Sequence, residues 1–146
     1  INFYQIFQKK DALQWVNALN CLSVGNQNWA MDTSLLICVC ANKKFKHNGN
    51  ENKWSQYDTG AASENICLQS TYLGLAAHQM GGFDSDKIRN LANIPVEFDV
   101  MSFIAVGKPL AKKLMTNEQA EAEGSARKRL KLNEIYFENK WDNFEG

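Results

Sequence analysis

The sequence predicts an α+β fold. A continuous apolar run, residues 34–41 (SLLICVCA), reads as a strand buried on both faces, and residues 98–106 (FDVMSFIAV) read as a second buried strand. A long helical pattern lies between them. Helices and strands mix without the regular βαβ alternation of a parallel sheet, so one sheet flanked by helices is expected.

The elements follow in order. Residues 10–22 carry Leu13, Val16, Leu19 and Leu22 at three-residue spacing, with Ala12 and Trp15 as a second row, and predict an amphipathic helix. Residues 23–32 (SVGNQNWAMD), with Gly25 and two asparagines, read as a polar loop. After the first buried strand, residues 42–53 form a solvated loop that turns at Asn48-Gly49-Asn50. The strongest helix spans residues 54–75. Its stripe is Ala61, Asn65, Leu68, Tyr72 and Leu75, extended by Ile66 and Leu73. Small residues from Gly60 to Ser63 allow close approach of a second helix, in the monomer core or across a dimer axis. Gly74 suits the end of that helix.

Residues 76–80 (AAHQM) are short enough for a strand. Asp84 or Ser85 then caps a brief helix, with Asp86 at its positive end and Arg89 at its negative end. Ile94-Pro95 stops it. Beyond the second strand, residues 110–115 read as a short helix, 116–126 as a polar surface segment, and 127–141 as a basic cluster followed by an apolar patch.

At 146 residues the chain suits a single domain, 1–146, with a C-terminal tail over 117–146. Hydrophobic residues are 45% and charged residues 22%, a balance that argues against disorder. A net charge of +0 gives no overall reason to expect a nucleic-acid partner. No apolar run is long enough to span a bilayer, and the first residues do not resemble a signal peptide. Cys21, Cys38, Cys40 and Cys67 form no C-x-x-C pair and read as free thiols of a reducing compartment, so a cytoplasmic location is expected. Cys38 and Cys40 share one face of a strand. Two histidines far from the cysteines do not make a zinc site.

The stretch 77–91 (AHQMGGFDSDKIRNL) poses the functional question. Gly81-Gly82 is either a turn, where glycine supplies positive φ, or a place where backbone N–H groups meet a flat or anionic ligand. His78 stands without a nearby nucleophile motif, a setting more typical of a packed side chain than of a catalyst. Arg127 and Arg129 would share one face if residues 127–132 ran as a strand, and two guanidiniums suit a phosphate; a solvated basic run explains them equally well. Trp29, Trp54 and Tyr57 line a pocket or fill the core, and periodicity does not choose.

Taken together, residues 57–89 (YDTGAASENICLQSTYLGLAAHQMGGFDSDKIR), NIP at 93–95, FIAVGKP at 103–109, RKRLKLNEIYFENKW at 127–141 and GNQNWAMDTSLLICVCA at 25–41 resemble the nitroreductase family of flavin enzymes. The resemblance covers nearly the whole chain, and its specificity lies in the order and spacing of motifs that are individually modest. It implies a central, mostly antiparallel sheet flanked by helices, an obligate homodimer, and one FMN per subunit at the interface. It further implies hydride transfer from NAD(P)H through flavin to nitroaromatics, quinones or similar acceptors. On this match Gln79, Met80, Gly81 and Gly82 bind the flavin, with the Gly81 N–H toward ring N5. Asn26 falls near the pyrimidine end of the ring, and Arg127 and Arg129 at the phosphate. No catalytic side chain and no metal are implied, and no proton-transfer role carries over to His78. The family's R-R-S-x-R and P-S-x-x-N-x-Q-P-W segments have no counterpart before Ile1, so the chain is expected to be N-terminally truncated relative to the family. The alternative is a degenerate, non-catalytic dimer that binds a ligand or partner.

Overall fold

The computed structural model describes residues 2–137. The chain divides into two compact units, Ile1–Pro109 and Leu110–Gly146. The first unit is built on a four-stranded sheet. Its strands are β1 (Asn2–Gln8), β2 (Leu35–Asn42), β3 (Ala76–Met80) and β4 (Phe98–Gly107), in the spatial order β1-β2-β4-β3. Every neighbouring pair is antiparallel, as expected of the sheet. Ile37 lies opposite Ile104, and Met80 opposite Phe103. A bulge between Val39 and Cys40 lets Val100 rather than Met101 face Cys40.

Both central strands are the apolar runs of the sequence. Because side chains alternate across a strand, each run feeds two cores. Leu36, Cys38, Cys40, Phe103 and Ala105 point to one face, where Trp15, Ala18 and Ile88 cover them. Ile37, Val39, Ile104 and Val106 point to the other, beneath Ile66 and Cys67. The covering helices are α1 (Ala12–Leu19) and α4 (Ser85–Leu91) on the first face and α3 (Ser55–Tyr72) on the second.

Two helices follow the expected rows only in part. Of the row begun in α1, Leu13 and Val16 are exposed, Leu19 packs against the core and Leu22 is buried, as are Trp15 of the second row and Ala18. Three residues advance about 300° around a helix, so strict three-residue spacing drifts by about 60° per step and cannot stay on one face. Of the stripe expected along α3, Leu68, Tyr72 and Leu73 lie outward, Ile66 and Leu75 pack against the second core, and Ser55, Thr59, Ser63 and Ser70 are buried. Three of these hydroxyls are satisfied within the helix. Thr59 donates to the Ser55 carbonyl at 2.6 Å, Ser63 to Thr59 at 2.8 Å and Ser70 to Ile66 at 2.8 Å. A back-bonded Ser or Thr presents little unsatisfied polarity to the sheet and packs almost like a small apolar residue.

Helix α3 ends as its glycine suggests. Gly74 adopts φ +72°, its N–H bonds the Thr71 carbonyl at 3.0 Å, and the Leu75 N–H bonds Ser70 at 2.9 Å. That pair of bonds is a Schellman motif. Asp84 caps α4, its carboxylate accepting from the N–H groups of Asp86 and Lys87.

Residues 23–32, expected as a loop, contain helix α2 (Val24–Ala30). Burial of Ala30 and the packing of Trp29 against the core outweigh the weak helix propensity of Gly25 and the asparagines.

In the second unit the expected helix over 110–115 shrinks to a single 3-10 turn, Lys112–Leu114. The polar segment that follows is not loop but helix α5 (Asn117–Gly124), started by a capping box between Thr116 and Gln119. Residues 126–131 have no regular structure, so the strand that would put Arg127 and Arg129 on one face is not formed. A short helix, α6 (Leu132–Ile135), comes next. The end of the expected apolar patch, Glu138 to Trp141, lies outside the described residues. Among the described residues no helix is long and apolar enough to cross a membrane.

Candidate functional site

Strand β3 ends at Met80, whose side chain is buried among Cys38, Phe103 and Ile88 in the first core. Met80 therefore anchors the strip from inside the fold. The chain then surfaces at Gly81 and Gly82, both exposed. Neither has a positive φ, so the turn explanation for the glycine pair fails.

The two glycines have different reasons to lack a side chain. At Gly81 a Cβ would meet nothing within 4 Å. At Gly82 a Cβ would lie 2.7 Å from Ser23 Oγ and 2.8 Å from Asn26 Nδ2, closer than real contacts allow. A Cβ at Gly82 would push aside the Ser23 hydroxyl and the Asn26 amide, the movable ends of two side chains. Gly81 is unfilled on its open side.

Gly82 is gripped by the start of α2. Its carbonyl accepts from the Ser23 N–H at 2.9 Å and from Asn26 Nδ2 at 2.9 Å. Two more links extend the seam: Leu22 bridges Phe83, and the Asp84 N–H donates to Cys21 at 2.7 Å. The backbone of Gly81 and Gly82 is thus held between a core methionine and a short antiparallel seam. Rigid support of that kind is what a binding edge needs. Asn26 uses one amide hydrogen on Gly82; its Oδ1 and second hydrogen are further hydrogen-bonding groups.

The remaining candidates separate. Gln79 is exposed, and its Nε2 donates to Glu64 at 3.4 Å, a long and weak bond. His78 stands edge-on to Trp29, ring centroids 5.0 Å apart at 86°, a packed aromatic contact rather than a catalytic pairing. Trp54 and Tyr57 are exposed and fill no core. Arg127 and Arg129 belong to the second unit, where Arg129 donates to the Lys128 carbonyl at 3.0 Å. The structure thus brings Asn26 together with Met80, Gly81 and Gly82. Sequence reasoning missed Ser23, whose backbone and hydroxyl both meet Gly82. No local signal marks it, because its role exists only once residues 21–23 pair with 82–84.

Residues 5–108 match the model of the nitroreductase family. The chain belongs to that family. This nitroreductase-family chain is 32% identical over 127 residues to an uncharacterised 15.4 kDa protein from the ask 5′ region of Mycolicibacterium smegmatis, spanning 84% of this chain and 80% of that one. Among solved structures it is similar to an oxidoreductase containing FMN, with a TM-score of 0.84 and 29% identity, covering 96% of this chain and 71% of the other. A nitroreductase family protein from Clostridium difficile 630 shares the fold at a TM-score of 0.66 and 22% identity, over 96% of this chain and 74% of that one. Membership supports oxidoreductase chemistry in general, on an α+β fold.

Proposed function

We propose that this protein is an FMN-dependent oxidoreductase that uses NAD(P)H and works as a homodimer. The observation that carries the reading is the Gly81 edge, exposed at the end of a buried strand, with open space where a side chain would stand. A flat ring fits against a Cβ-free backbone, and fixed N–H groups can direct hydrogen bonds to its edge. FMN, when bound, would supply the hydride relay from NAD(P)H to a nitroaromatic, quinone or similar acceptor. Met80 anchors the edge, Ser23 and Asn26 hold Gly82, and Gly81 offers its backbone. Gln79 is assigned to the same edge by its neighbouring position. Arg127 and Arg129 are assigned to the phosphate on their chemistry alone, as bidentate guanidiniums.

The dimer reading rests on the outward face of α3, where Tyr57, Leu68 and Tyr72 recur at helical spacing and all are exposed. An aromatic and aliphatic stripe of that kind is typical of an interface core.

The test is reconstitution of the purified chain with FMN, followed by gel filtration and visible absorbance. Retained flavin that is bleached by NADH or NADPH and reoxidised by a quinone supports the reading. A folded dimer that retains no flavin would favour a non-catalytic ligand- or partner-binding role.

A further inference from the structure

The sulfurs of Cys38 and Cys40 lie 3.9 Å apart on the same face of β2. All four cysteines are free. The pair is not a disulfide: its sulfurs stand 3.9 Å apart, against about 2.05 Å for a bond. One bridging soft atom fits instead. At a bond length to sulfur of about 2.3 Å, a pyramidal atom with angles of about 100° spans about 3.5 Å, so the sulfurs, 3.9 Å apart, need close by only about 0.4 Å. Among the described residues no three His, Cys, Asp or Glu side chains are grouped to hold a metal ion, so any such site offers two thiols only.

Access comes from one side. A cavity of about 160 Å³ opens between β1 and the α4–β4 loop, with Cys40 on its wall beside Tyr4, Ile94, Pro95 and Phe98. A cavity of about 150 Å³ is enough to take a benzene ring. Cys38 is fully buried next to Cys40. The reactive order follows from the shared hydrogen bond: with Cys38 donating, the Cys40 thiol is held below its ordinary range, helped by the Arg89 guanidinium against the cost of burial. The Cys38 thiol is pushed up, first by that bond and then by burial.

We propose that Cys38 and Cys40 form a two-thiol site for monosubstituted trivalent arsenicals, with the aryl group seated in the cavity against Ile94, Pro95 and Phe98. The step balances without an oxidant. Two S–H bonds and the As=O bond break, two As–S bonds form, and the oxygen leaves as water with both thiol protons. Arsenic stays trivalent throughout. A ring closed by two sulfurs resists exchange with monothiols, because the second As–S bond re-forms intramolecularly, an advantage of about 10²-fold or more.

The experiment treats the reduced, folded full chain with phenylarsine oxide. Intact mass should show one phenylarsenic per chain. The adduct should survive excess glutathione, release with 2,3-dimercaptopropanol, and shield Cys38 and Cys40 from alkylation while Cys21 and Cys67 stay reactive on unfolding. Cys38→Ala or Cys40→Ala should leave an adduct that glutathione strips. Peptide mapping of the unmutated chain needs no variant to fold. Absence of an adduct on the folded chain, a glutathione-labile adduct, or shielding of Cys21 or Cys67 would each overturn the proposal.

Discussion

The Asn26 side-chain amide donates to the Gly82 carbonyl at 2.9 Å, across 56 residues of sequence. This bond and the Ser23 N–H fix the second glycine and leave the first one open. Opposite outcomes follow for two alanine variants. Gly82→Ala displaces the Ser23 hydroxyl and the Asn26 amide and breaks the Asn26 bond, so it should cost about 0.5–1.5 kcal/mol of stability, the usual net worth of one hydrogen bond. Gly81→Ala meets no neighbour and should be neutral, or stabilise by about 0.4–1 kcal/mol through the unfolded chain. Yet Gly81→Ala should be the variant that loses flavin while remaining folded. Urea melts paired with visible absorbance distinguish the two. Equal effects of both variants on stability would contradict the assignment.

The Schellman turn at Gly74 is a control for glycine chemistry away from the site. Any L side chain at φ +72° is strained. Gly74→Ala should cost about 1–2 kcal/mol and lower the thermal midpoint without changing flavin retained per folded chain. A change in retained flavin at constant folded fraction would show that the end of α3 acts on the site directly.

Arg89 closes the loop between α4 and β4. Its guanidinium donates to the carbonyls of Ile94 at 3.1 Å, Pro95 at 2.7 Å and Phe98 at 2.8 Å. No lysine can reproduce that fork. Arg89→Lys should therefore destabilise by about 1.5–3 kcal/mol, the range for charged hydrogen bonds, read as a lower urea midpoint. Full stability in Arg89→Lys would show that the loop holds without the fork.

How much of this was legible follows physical lines. The two central strands were readable because β2 and the second half of β4 are buried on both faces, which demands apolar residues on both. Gly74 and Asp84 were readable because end signals are local. The buried faces of α1 and α3 were legible only in part. A self-satisfied Ser63 looks polar in sequence and behaves as small and neutral in the core. Conversely, Leu68 looks like core and lies outward, as it would if a second copy covers it. Helix α5 carried its signal openly in Thr116 and Gln119, but its polar composition argued for loop. The glycine strip was legible as a candidate, and its support was not, since Ser23 and Asn26 reach Gly82 only through tertiary pairing.

The outward face of α3 gives the next prediction. Tyr72 is 85% exposed, with Leu68 one turn away. Leu68→Glu leaves the monomer core untouched, so it should not change the circular dichroism spectrum. Across a dimer it would bury a charge at an apolar contact. A loss of about 1.4 kcal/mol or more, tenfold in the dimer dissociation constant, is expected by analytical ultracentrifugation. Unchanged dimerisation in a folded Leu68→Glu variant would place the interface elsewhere.

Alkaline pH tests the buried thiols. Burial raises the Cys21 thiol, and nearby Asp84 raises it further against Lys87. Burial and Glu64 do the same for Cys67, against a hydrogen bond from Gln79. A thiol raised in the folded state holds its proton better there than when unfolded. Its contribution to stability is complete below the unfolded value of about 8.5 and is lost as pH climbs through the folded value. Cys40 acts in the opposite sense, since its thiol is lowered. Single replacements separate these contributions. Between pH 7 and pH values above the ordinary thiol range, the urea midpoint of Cys21→Ala or Cys67→Ser should fall less steeply than that of the unmutated chain. A shared slope across all three proteins would show that thiol ionisation does not couple to folding.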